Sequence, residues 1–158
     1  MNRVNIPNFG ELLRTHLSGV SQGAYPYLLS QLERSAAARY RDWAQALPEH
    51  REGLLECAAR EDEIADKVAA LFPPTVAQID EVEAVLPQAK AAYYSAFADY
   101  TSIEQMTIQA DAEKQGAGAW QNMKAAYPEH AIALDKLSAI ELQSAAYLDQ
   151  VLGALEEA

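Results

Sequence analysis

The chain has 158 residues, half of them apolar, and 23 acidic against 12 basic side chains give a net charge of −11. That length and composition suit one domain, residues 1–158, with a sizeable core, and they exclude a disordered chain. Lys and Arg are too few for a nucleic-acid surface, and no apolar run approaches the roughly 18 residues of a membrane span, so neither nucleic acid nor membrane is expected as a partner.

In chain order, Phe9, Leu12, Leu13 and Leu17 fall on one side of a short amphipathic helix over 8–18, which "SGVSQG" interrupts. From Ala24 to Leu47 a second helix carries the stripe Leu28, Leu29, Leu32, Ala36, Tyr40, Trp43 and Leu47. The basic stretch "RSAAARYRDW" inside it reads as a solvated face. Pro48 suits the first turn of the next helix, where its missing N–H costs nothing, and Glu49 adds negative charge at that positive end. This helix runs to Leu71 with Leu54, Cys57, Ala58, Ile64, Ala65 and Val68 inward, and "FPP" stops it.

"TVAQIDEVEAVLP" is expected to be a short helix bounded by prolines, with helix resuming after Pro87. Thr101 and Glu104 have the spacing of a capping box that restarts the chain as a new helix; the alternative is a helix that simply continues. The following helix contains Gly116 and Gly118, which close packing would explain. Pro128 opens the last main helix, with Leu134, Leu137, Ile140, Ser144, Leu148, Val151 and Leu155 as its stripe. No segment reads as a strand.

The second half matches the first at an offset of 80 residues. Pro48, Glu49 and His50 correspond to Pro128, Glu129 and His130; Glu33, Leu54 and Glu61 correspond to Glu113, Leu134 and Glu141; Tyr40 corresponds to another large aromatic, Trp120. Each repeat, about 24–72 and 102–155, is a helical hairpin, and hairpins of this kind bury their apolar faces by pairing into a four-helix bundle.

The repeated glutamates point inward. Glu61 lies four residues after Cys57 and three before Ile64; Glu141 lies four after Leu137 and three before Ser144; Glu33 and Glu113 precede Tyr40 and Trp120 by seven. Within each hairpin the two glutamates stand fourteen residues either side of the turn, at Leu47 or Tyr127. Four carboxylates are therefore expected at one level inside the bundle, where they must be paired, protonated or bound to a cation.

This arrangement resembles the ferritin-like, di-iron carboxylate family of ferritins, bacterioferritins and rubrerythrins. There each hairpin supplies a Glu from its first helix and a Glu-x-x-His from its second. The resemblance implies an all-α, ferritin-like four-helix bundle with a helical crossover and an extra N-terminal helix. It also implies Glu33, Glu61, Glu113 and Glu141 as metal ligands, with Tyr40, Trp120, Ile64 and Ser144 around them. The family's two histidine positions hold Ile64 and Ser144 instead, in "EDEI" and "ELQS". Losing imidazole weakens an iron site, whereas a carboxylate-only set with waters suits a hard cation such as Mg²⁺ or Mn²⁺.

Three functions follow as expectations. The first is a divergent ferritin-like protein whose metal centre is degraded, binding no metal or a weakly held iron or manganese ion, with a binding or assembly role. The second is an iron- or manganese-dependent oxidoreductase using the four glutamates. The third is a plain helical interaction module. A homodimer is compatible with all three; no partner protein is specified. Cys57 alone permits no internal disulfide and reads as a small buried group, and with no apolar signal core in "MNRVNIPNFGELL" the expected location is the cytoplasm. His50 and His130 lie eleven residues, about 16 Å of helix, from Glu61 and Glu141, and are expected to serve the helix starts; Asp62, Glu63 and Asp66 are expected on a solvated face.

Overall fold

A computed structural model describes residues 4–157, apart from the side chain of Leu17, so that residue's place on the first apolar face lies outside the described residues. The described residues form six α-helices and no strand: α1 (Phe9–Leu17), α2 (Tyr25–Ala46), α3 (Arg51–Leu71), α4 (Val76–Ser95), α5 (Ser102–Met123) and α6 (Ala131–Glu157). Among them no helix is long and apolar enough to cross a membrane. The chain divides into two compact units. One is Asn8–Ala98; the other runs from Asp99 onward and takes in the segment before Asn8.

In the first unit α2 pairs with α3 as a hairpin, and α4 lies against α1 and α2. Leu13, Ala24, Leu28, Leu32, Val82 and Ala89 form the apolar cluster that joins α1, α2 and α4. The side chain of Asn8 caps α1 by accepting the N–H of Glu11. The break expected at Pro87 is absent: α4 runs through that proline. Pro87 has no N–H to give the carbonyl of Glu83, a loss of about 3 kcal/mol in an isolated helix. Val82 and Ala89, both fully buried, hold the helix on either side of it. A capping box of Thr75 and Gln78 fixes where α4 begins.

The basic stretch of α2 is not one solvated face. Arg34 pairs with Asp62 at 2.9 Å and with Asp66, and Arg41 also pairs with Asp62. Arg39 is only 6% exposed. Its guanidinium lies over three rings of the first unit, 5.1 Å from the centre of Tyr93, 5.3 Å from Tyr94 and 4.7 Å from Phe97. Glu63 and Asp66 are exposed, as expected, but Asp62 is half-buried between two arginines.

Burial pushes the Asp62 carboxyl up, but the hydrogen bonds from Arg34 and Arg41 outweigh it and hold the group below the ordinary carboxylate range. A lowered folded pKa stabilises the fold at neutral pH, and that contribution disappears as pH falls through it. Asp62→Asn is therefore expected to lower stability by about 0.5–1 kcal/mol at pH 7. The difference from wild type should shrink as pH is lowered from 7 to about 3. Urea unfolding at the two pH values checks this, and an equal difference at both would mean that the pairs contribute nothing electrostatic.

In the second unit, α5 pairs with α6. The helix does not continue from α4. The Thr101 hydroxyl accepts the N–H of Glu104 at 3.2 Å, the Glu104 carboxylate accepts the N–H of Thr101 at 3.0 Å, and this box starts α5 afresh. The segment before Asn8 is tied to this unit where the Gln115 amide donates to the Pro7 carbonyl at 2.8 Å and the Asn5 N–H to the Tyr100 hydroxyl at 3.2 Å.

The repeat is visible in the backbone. Each hairpin turns through a 3₁₀ segment, Pro48–His50 in one and Pro128–His130 in the other. The residues before them adopt nearly the same conformation, Leu47 at φ −127°, ψ 74° and Tyr127 at φ −131°, ψ 64°. A proline keeps the preceding residue out of the helical region, so the chain must break there. The prolines thus open tight 3₁₀ turns rather than the first α-turn, and the α-helices start at Arg51 and Ala131. Burial along α3 and α6 then follows the same rhythm, with Leu54, Cys57, Ala58, Glu61, Ile64, Ala65 and Val68 answered by Leu134, Leu137, Ser138, Glu141, Ser144, Ala145 and Leu148.

Candidate carboxylate site

In the first hairpin, α2 carries Glu33 and α3 carries Glu61. The periodicity of α3 puts Glu61 in line with Cys57 and Ile64, both fully buried, and Glu61 itself is only 1% exposed. Glu33 is half-buried. The two side chains bring carboxylate oxygens within 4.8 Å of each other. In this hairpin the two positions equidistant from the turn lie close together, as the spacing required. Tyr40, two turns along α2 from Glu33, is fully buried, and its ring meets that of Trp43 edge-on at 5.3 Å.

In the second hairpin, Glu113 on α5 is 1% exposed and Glu141 on α6 is 2% exposed. The buried amide of Gln109, one turn before Glu113, donates from Nε2 to Glu113 Oε1 at 2.8 Å. The Glu141 carboxylate lies against Gly116: a β-carbon added there would stand 2.5 Å from Oε2 and 3.1 Å from Cδ of Glu141. One turn before Glu141, the buried Ser138 hydroxyl donates to the Ala117 carbonyl at 2.7 Å, a bond directly between the two helices. Trp120 is buried two turns beyond Glu113. Close packing was expected of both glycines in α5, but a β-carbon at Gly118 would meet nothing within 4 Å. The helical period explains the difference: Gly116 is three residues after Glu113 and shares its face, and Gly118 does not.

Gln109 and Ser138 escaped the sequence reading because their counterparts in the first repeat, Leu29 and Ala58, are apolar. The available signal was position, since Gln109 lies four residues before Glu113 and Ser138 three before Glu141. His50 and His130 stand at the ends of the 3₁₀ turns. Cys57 is buried, as expected, and its sulfur accepts an N–H from Arg60 at 3.1 Å.

Ile64 and Ser144, at the positions where the resembled family has histidine, are both fully buried. Neither supplies a nitrogen ligand. The inward donors are carboxylate oxygens, which match a hard cation and do not match an imidazole-supported pair of irons. Compared with protein-family models, curated proteins and solved structures, the chain matches none. Fold and site define a class only: a chain whose described residues are helical and which repeats a hairpin, each copy carrying a pair of glutamates of which Glu61, Glu113 and Glu141 are buried.

Proposed function

We propose that the chain is one ferritin-like domain in which the two hairpins pair as a four-helix bundle, and that Glu33, Glu61, Glu113 and Glu141 form an oxygen-only site for a single hard divalent cation. The observation that carries this reading is the burial of Glu61, Glu113 and Glu141, each with 2% or less of its surface exposed. Carboxylates at that depth are costly unless hydrogen bonds, something positive or a shared proton offset them, and a divalent cation does so most fully. The repeat supports convergence of the two pairs, because both hairpins present their glutamates at the same distance from the same turn. With Ile64 and Ser144 in place of imidazole, the reading is of a divergent family member that binds a cation and does not run two-metal oxygen chemistry. Manganese or magnesium suits the donor set better than iron.

Metal content tests this. The protein is expressed in medium supplemented with iron and manganese, purified without chelator or affinity tag, and assayed beside a Glu61→Ala, Glu141→Ala double variant. Near-stoichiometric metal in the wild type, lost in the variant, is the expected result. No metal in either protein would sink the reading. Rapid oxygen consumption on adding ferrous ion would replace it with an oxidoreductase.

A further inference from the structure

The two hairpins are alike in backbone but not in how they hold their glutamates. In the second, Gly116 leaves open the space that the Glu141 carboxylate occupies, Gln109 donates to Glu113, and Ser138 bonds α6 to the carbonyl of Ala117. In the first, the corresponding positions are Ala36, Leu29 and Ala58, which can make none of these contacts. Glycine inside a helix is destabilising relative to alanine by roughly 0.5–1 kcal/mol, so its presence in α5 calls for a compensating contact. Gly118 has none, but Gly116 has the carboxylate.

We infer that Gly116 is a positioning residue for Glu141. By omitting a β-carbon it lets the Glu141 carboxylate seat against the backbone of α5, and the Ser138–Ala117 bond holds the register that brings the two together. Together with the Gln109–Glu113 bond, this fixes both glutamates of the second hairpin in place. The inference rests on the cation-binding reading for its functional meaning. The seating of Glu141 is testable without metal.

The full chain is compared as wild type, Gly116→Ala, Gly118→Ala, Glu141→Asp and the double variant Gly116→Ala, Glu141→Asp. Two quantities are measured: the thermal midpoint after chelation, and Mn²⁺ affinity from the free-ion paramagnetic resonance signal. Both alanine variants gain the same helix propensity, so Gly118→Ala is the control. Gly116→Ala is expected to lower the chelated midpoint by about 3 °C or more relative to Gly118→Ala, and to weaken Mn²⁺ binding at least tenfold. In the Gly116→Ala background, shortening Glu141 to Asp withdraws the carboxylate by one methylene, and it is expected to restore most of the midpoint. Equal midpoints for the two alanine variants, or no rescue by Asp, would overturn the inference. Absence of Mn²⁺ binding by the wild type would overturn the cation reading instead, and the chelated midpoints would still decide the role of Gly116.

Discussion

Under the proposed cation-binding role, Glu61→Met is expected to abolish manganese binding and, in the chelated protein, to raise stability by about 1–3 kcal/mol. Glu61 is almost wholly buried, and a carboxylate oxygen of Glu33 lies within 4.8 Å of its own. Two ionised groups at that separation repel by roughly 3 kcal/mol at an effective dielectric near 20, and burial penalises each charge further. Other contacts of the two carboxylates offset part of this, so the net gain is smaller than the sum. Methionine has nearly the length of glutamate and adapts to irregular space, so it removes the charge without opening a cavity. Urea unfolding in chelator, beside a Mn²⁺ titration, measures both effects. For contrast, Leu54→Ala on the same helix removes a fully buried apolar side chain and lowers stability by about 2–5 kcal/mol. A chelated Glu61→Met protein less stable than wild type would mean that Glu61 is held by the fold for its own sake. The carboxylate pair would then be structural.

Arg39→Ala is expected to destabilise the protein by about 3 kcal/mol. The guanidinium lies over Tyr93, Tyr94 and Phe97, and those rings continue to Phe9, which stacks on Tyr93 at 4.5 Å between centres. Arg39 thereby joins α2 to the end of α4 and the start of α1. Truncation removes three cation–ring contacts and leaves a void among the rings. Arg39→Lys is expected to recover less than half of the loss, because an ammonium is not planar and cannot lie flat against several rings. Thermal or urea unfolding of the two variants measures the difference. Full recovery by Lys would show that charge alone matters at this position.

These two residues also show what a sequence can and cannot convey. Glu61 was legible because its spacing from Cys57 and Ile64 is the spacing of a helix face, and the same spacing recurs around Glu141. The hairpins, their turns and the burial rhythm were legible for the same reason. Arg39 was misread although it lies three residues after Ala36 and four before Trp43, on the inward stripe. Its charge argued for solvent, and only the rings of α4, distant in sequence, reverse that argument. Pro87 was misread in a similar way. The local penalty of a proline is known from sequence, but the packing at Val82 and Ala89 that opposes it is not. Whether α4 and α5 are one helix could not be decided from Thr101 and Glu104 alone, since a capping box requires the extended backbone that Thr101 adopts here.

The near-identical 3₁₀ turns have a kinetic consequence. Each joins two long helices through a very short connection, so the entropy of closing the hairpin is small and the contacts formed are near neighbours along the chain. Helical hairpins of such low contact order form in roughly microseconds to milliseconds. Because the turn occurs twice, with Leu47 and Tyr127 in the same backbone conformation, the chain has two separate places at which ordered structure can begin. Slowing one of them, for instance by replacing Pro48, leaves the other free to start on its own.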